Sequence, residues 1–132
     1  MAWDIVASKE EIALLMEAGL IYRDAEKFEE ARAIFQGLRA LSPKSEVPEV
    51  ALGTVSFQAR DFDGAVAHYQ EALKLNPRSA YAYAHLGEVE LFRKDKKTAR
   101  SYLKKALELD PKGEFGKLAR SLTSLADQVT YK

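Results

Sequence analysis

The sequence predicts an all-α protein made of three tandem helix-turn-helix units and a closing helix. Three observations lead there. Pro43, Pro77 and Pro111 stand 34 residues apart, as do Gly19, Gly53 and Gly87, and Ala31, Ala65 and Ala99; one period shared by three residue types marks an internal repeat. Within each unit the apolar residues recur three and four apart, as in "IALLMEAGLIY", "FEEARAIFQGLRAL", "FDGAVAHYQEALKL" and "KKTARSYLKKALEL", the spacing of one helix face. Ser42, Asn76 and Asp110 each precede a proline, which crowds them out of the α region and stops the second helix of each unit.

The elements follow in order. Ser8 and Glu11 form an S-x-x-E capping box, so the first helix begins near residue 9. The turns "RDAEK", "ARDF" and "RKDK" separate the two helices of each unit, and Ser45, Ser79 and Gly113 stand where the next helix needs its N-cap, glycine being the weakest of the three. The periodic glycine in the first helix and alanine in the second let two backbones approach closely. A larger side chain there would overpack at about 1–3 kcal/mol. In "RSAYAYAHLGE" the alternation suggests a strand, but within the repeat it is helical, and Tyr81 and Tyr83 then point about 200° apart, onto two different faces. The closing helix, "GEFGKLARSLTSLADQV", carries Phe115, Leu118, Leu122, Leu125 and Val129 on one face and Lys117, Arg120, Ser121, Ser124 and Gln128 on the other. Its polar outer face ends the stack. The units run about 12–45, 46–79 and 80–113, with the closing helix about 114–129, all in one domain of residues 1–132.

Composition sets the function classes aside one by one. With 47% hydrophobic residues the chain can bury one sizeable core. Lys+Arg and Asp+Glu are both 20, so no overall field favours nucleic acid or an anionic membrane, and the basic run "RKDKKTARSYLKK" reads as a wetted outer face. Without cysteine there is neither disulfide nor thiol chemistry. His68 and His85 show no metal-ligand spacing, His85 being placed instead to pair with Glu88 three residues on. No phosphate loop, nucleophile elbow or acid/base pair stands out. The expectation is a non-enzyme without cofactor or metal, cytoplasmic, with no secretory leader or membrane insertion.

At this point the sequence resembles the tetratricopeptide-repeat family. "EVPEVALGTVSFQARDFDGAVAHYQEALKLNP" is similar to its pattern in small Gly53, Ala65, aromatic Tyr69, Ala72 and Pro77. The first unit departs most, with Leu38 where alanine is usual. The resemblance implies a right-handed superhelix whose concave face is lined by the first helix of each unit. Carried over residue by residue, that face comprises Ala13, Met16, Leu20, Arg23 and Asp24; then Val47, Val50, Thr54, Phe57 and Gln58; then Tyr81, Ala84, Glu88, Leu91 and Phe92. Such a set forms a mainly apolar groove, and contiguous exposed apolar surface marks an interaction site. Anchors worth about 1.5–3 kcal/mol each, set against about 4–15 kcal/mol for association, give roughly micromolar binding of a protein or extended peptide client. Family members that grip a chaperone's C-terminal carboxylate use lysine, asparagine and arginine in the concavity. Here Met16, Leu20, Thr54, Tyr81 and Ala84 stand in that region, so the resemblance implies no such clamp.

Three repeats and one final helix on so short a chain also resemble the type III secretion chaperones that hold translocator subunits before export. The implied role is to keep an aggregation-prone client soluble. The alternative is a scaffold that self-assembles through the same surfaces with no separate client. Phe115 and Leu122 either extend the groove or seal the third unit. Trp3, Ile5 and Val6 give an N-terminal arm two roles, folding back over the first helix or docking on another copy to make a homodimer.

Overall fold

A computed structural model describes residues 7–131. The arm residues Trp3, Ile5 and Val6 lie outside the described residues. Among the described residues seven helices follow one another: α1 (Lys9–Asp24), α2 (Phe28–Leu41), α3 (Val47–Gln58), α4 (Phe62–Leu75), α5 (Ala80–Phe92), α6 (Lys96–Leu109) and α7 (Glu114–Gln128). Each packs on its neighbour in sequence, and α1, α3, α5 and α7 also touch in succession along the stack. Among the described residues there is no strand.

Local chemistry sets the helix ends. At α1 the capping box is complete, with Glu11 N–H donating to Ser8 Oγ and Ser8 N–H to Glu11 Oε1, both at 3.1 Å. Ser79 caps α5 by accepting from the Ala82 N–H. Ser45 does not cap α3, whose N-cap is Glu46; the Ser45 hydroxyl accepts from the Val47 N–H instead, because the backbone of Glu46 is already helical when the chain enters the turn containing Pro48. Gly113 is the N-cap of α7 without a side chain to offer, and Asp110 Oδ2 takes over by accepting from the Phe115 N–H at 3.1 Å. The second helices of units two and three have caps that the repeat pattern had not suggested: Asp61 accepts from Gly64 N–H and Asp95 from Thr98 N–H. Lys27, at the matching place in unit one, makes no such bond. Each turn between paired helices contains one non-glycine residue in the left-handed region, Glu26, Arg60 and Lys94, again 34 residues apart.

The core follows the repeat. Gly19, Gly53 and Gly87 lie under Phe35, Tyr69 and Leu103, and a Cβ on any of them would overlap the facing side chain. That close approach is the reason for the glycine period. Three clusters stack along the axis: Phe35 and Leu38 with Leu52 and Val55; Val50 and Tyr69 with Leu86 and Val89; Leu91 and Leu103 with Ala119 and Leu122. Each cluster spans the border between units, so no unit completes its core alone.

A buried polar bridge fastens the first border. Glu49, 7% exposed, accepts from Arg39 on α2 at Oε1 and pairs with His68 Nδ1 on α4 at Oε2, both at 2.9 Å. Burial alone would raise the Glu49 carboxyl, but hydrogen bonds and charge from His68 and Arg39 outweigh it and hold the group below the ordinary carboxylate range. At the far end the chain after α7 returns to the stack. Tyr131 donates its hydroxyl proton to the Leu91 carbonyl at 2.6 Å, and Lys96 lies over the Tyr131 ring and donates to the Val129 carbonyl.

Candidate peptide-binding groove

The first helix of each pair, α1, α3 and α5, and the closing helix α7 surround a hollow of about 500 Å³. Met16, Leu20 and Arg23 come from α1, Glu46 and Val47 from the start of α3, Tyr81 and His85 from α5, and Glu114 and Phe115 from α7. Helical spacing makes this possible: Met16, Leu20 and Arg23 lie four and three residues apart, and Tyr81 and His85 four apart, so each set shares a face. Tyr81 stacks on Phe115, ring centroids 4.7 Å apart and planes within 15°, and meets His85 edge-on at 5.1 Å. Tyr83, two residues on, turns away to pack near Tyr102.

Beneath the apolar wall is a polar floor. Arg23 donates from Nη1 to Thr54 Oγ1 at 2.9 Å and pairs with Asp24 at the same distance. His85 Nδ1 lies 3.1 Å from Glu88 Oε1. Tyr69, fully buried, stacks on His85 at 5.8 Å, and its hydroxyl has no hydrogen-bond partner among the described residues. Burial, with the Glu88 charge adding to it, pushes the Tyr69 phenol up; burial does the same to Tyr81 against the opposing pull of Arg23. Both phenols stay neutral near pH 7, and Tyr81 can therefore donate a hydrogen bond at the groove wall.

Of the residues expected here, Met16, Leu20, Arg23, Val47 and Tyr81 line the hollow. Thr54 lies buried under Arg23, and Glu88 stands beside the hollow as the partner of His85. Val50, Ala84 and Leu91 need correction, because they are core residues. Val50 and Ala84 are fully buried and Leu91 is 5% exposed. The inner-face pattern treats each helix as if nothing followed it, whereas α5 closes over Val50 with Ala82, Leu86 and Val89, and α7 closes over Ala84 and Leu91 with Ala119 and Leu122. Phe57 and Phe92 are also displaced. They flank a separate hollow of about 250 Å³ near the turns between paired helices, together with Phe62.

Glu46, His85 and Glu114 were not anticipated in the groove. Phe115 falls where a fourth unit would repeat Val47 and Tyr81, so the 34-residue period itself was the signal. The last helix does both jobs in question: Phe115 lines the hollow while Leu122 is sealed beneath it. Among the described residues no cluster of three or more His, Cys, Asp or Glu could hold a metal, and no helix is long and apolar enough to cross a membrane.

Family models described as tetratricopeptide repeat match residues 13–45 and 50–114, which together take in most of the stack. The chain belongs to the tetratricopeptide-repeat family. A search of curated proteins finds no match. Among solved structures it is similar to the type III secretion translocator chaperone SycD of Yersinia enterocolitica, at 22% identity and a TM-score of 0.78, covering 92% of each chain. PcrH from Pseudomonas aeruginosa follows at 19% identity and a TM-score of 0.75, covering 96% of this chain and 99% of that one. The first repeat domain of Spaghetti (RPAP3), bound to the HSP90 peptide SRMEEVD, matches at 21% identity and a TM-score of 0.72, covering 94% and 96%. At these identities the likeness establishes a shared fold, the superhelix of helix pairs.

Proposed function

We propose that this tetratricopeptide-repeat protein is a cytoplasmic chaperone that holds an extended segment of a client protein in the groove between α1 and α7. The observation that carries the reading is the open hollow walled by Met16, Leu20, Val47, Tyr81 and Phe115, apolar side chains from four helices in one concavity. Val47 is 37% exposed on this face, and a stack that needed its first-of-pair helices only for packing would have no use for it there. Relatives in fold support the reading: a SycD structure holds a peptide of the translocator YopD, and PcrH structures hold the chaperone-binding regions of PopB and PopD. The type III secretion role is therefore the one we favour for this chain. Arg23 is tied to Thr54 and Asp24, so the floor keeps no free guanidinium for a terminal carboxylate, and the client is an internal segment with apolar anchors.

The test uses a paired Leu20→Glu and Val47→Glu variant. Both positions are at least partly open, so helicity is expected to stay within error of the parent by circular dichroism while a client captured from the native cell, identified by mass spectrometry, is lost. Retention of that client by the folded variant would remove the groove as its seat.

A further inference from the structure

A second apolar surface runs along the edge where the turns between paired helices emerge, and the groove does not use it. Phe57, Phe62 and Phe92 form a triangle of rings with centroids 5.0–6.0 Å apart. Phe92 is 51% exposed and is the shared wall of two hollows. One, of about 250 Å³, has Phe57, Phe62 and Arg60 around it, with Glu26 at its α1 side. The other, of about 230 Å³, has Leu125, Val129, Tyr131 and Lys94. Leu125 is nearly as open, at 45%.

The charges on this edge separate into engaged and free. Arg93 pairs with Asp63 and Glu90, Lys96 is held by the Val129 carbonyl and the Tyr131 ring, and Asp61 and Asp95 serve as helix caps. Arg60 and Lys94, one beside each hollow, make no ion pair among the described residues. The one acid lining either hollow is Glu26. Two apolar depressions divided by an aromatic wall, each with an unengaged cation at its margin, complement a chain with two large apolar side chains among carboxylates. The chain's zero net charge and the discreteness of the two hollows fit a peptide better than a lipid surface or a nucleic acid. We propose that this turn edge is a second docking surface, for an acidic protein segment that places one apolar side chain on each side of Phe92. The proposal stands apart from the groove reading and survives its failure.

The experiment is fluorescence anisotropy of the full chain with a labelled probe peptide, one Phe and one Leu set among Glu residues, beside a matched probe with Lys in place of Glu. Saturable binding of the acidic probe is expected, weakening as salt rises from about 0.05 to 0.5 M. Phe92→Glu, and separately Arg60→Glu with Lys94→Glu, should each weaken it at least about tenfold, while the Leu20→Glu, Val47→Glu groove variant binds as the parent does. The paired charge reversal lies on exposed turns, so it decides the matter even if Phe92→Glu disturbs folding. Equal binding of the two probes, absence of binding, or loss in the groove variant instead of the edge variants would overturn the proposal. So would self-association, seen by sedimentation, that Phe92→Glu abolishes, because the occupant would then be a second copy.

Discussion

α1 and α3 hold the same place in consecutive repeats, yet one is nearly bare and the other engulfed. In α3 nine successive residues, Pro48 to Ser56, are buried; in α1 only Gly19 is. Leu14 and Ile21 on α1 are 67% and 62% exposed. The difference lies in neighbours rather than in helix chemistry. Among the described residues α3 is packed by α1, α2, α4 and α5, whereas α1 has only α2 and α3. Burial in a repeat array is thus set by position in the stack, and a residue type means different things at its end and in its middle. Met16 and Val50 show this at the same register position: one lines the groove, the other is sealed under α5.

The sharpest way to break the comparison is Val50→Asp against Met16→Asp. At Val50 an unpaired carboxylate is trapped in the core, at a cost of about 3–5 kcal/mol, while at Met16 it reaches the open groove and costs far less. Urea unfolding of the two variants should therefore separate widely, and equal midpoints would refute the asymmetry. Gly53→Ala comes next. The new Cβ meets the Tyr69 ring, and about 1–3 kcal/mol of overpacking should appear as a lowered midpoint with unchanged slope.

Acid tests the polar bridge that ties α3 to both its flanks. Because the Glu49 carboxyl is held low in the folded chain, its contribution is fully present above the unfolded carboxylate range, near pH 4.5, and fades as pH falls through the folded value. Glu49→Gln should flatten that part of the stability profile measured from pH 7 to pH 3. A parallel fall in parent and variant would place the acid sensitivity elsewhere. On the open side of the molecule the effects shrink or reverse. Gly37→Ala, in α2 with nothing near the added methyl, should stabilise by about 0.5–1 kcal/mol, and Leu14→Glu on bare α1 should stay within about 0.5 kcal/mol of the parent.

The comparison also explains what could be read in advance. The 34-residue period and the apolar spacing gave the helix pairs and the need for small residues where they meet, and the S-x-x-E motif gave the α1 capping box, because these depend on residues near in sequence or one repeat away; that the glycines lie under the Phe35, Tyr69 and Leu103 side chains is a matter of packing. The groove was half legible. Met16, Leu20, Arg23, Val47 and Tyr81 could be placed by carrying the family's concave positions onto the repeat, whereas the sealing of Val50, Ala84 and Leu91 depends on how far the next helix slides across, a quantity no local spacing encodes. Ser45 lost its expected cap to Glu46 for a similarly small reason, a one-residue shift in where the backbone turns helical. The Arg39, Glu49 and His68 bridge was invisible because its members come from three helices whose relative rotation only packing decides.

One property of the groove follows from the order of contacts. Among the described residues the backbones of its opposite walls, α1 and α7, make no close approach to each other, nor do those of α1 and α5. The span from Met16 to Phe115 is therefore the accumulated result of successive joints, like the gap of a calliper, and a fraction of a degree at each joint widens or narrows it without breaking any core. A hollow built this way has an adjustable width, and its stiffness is a property of the whole spine.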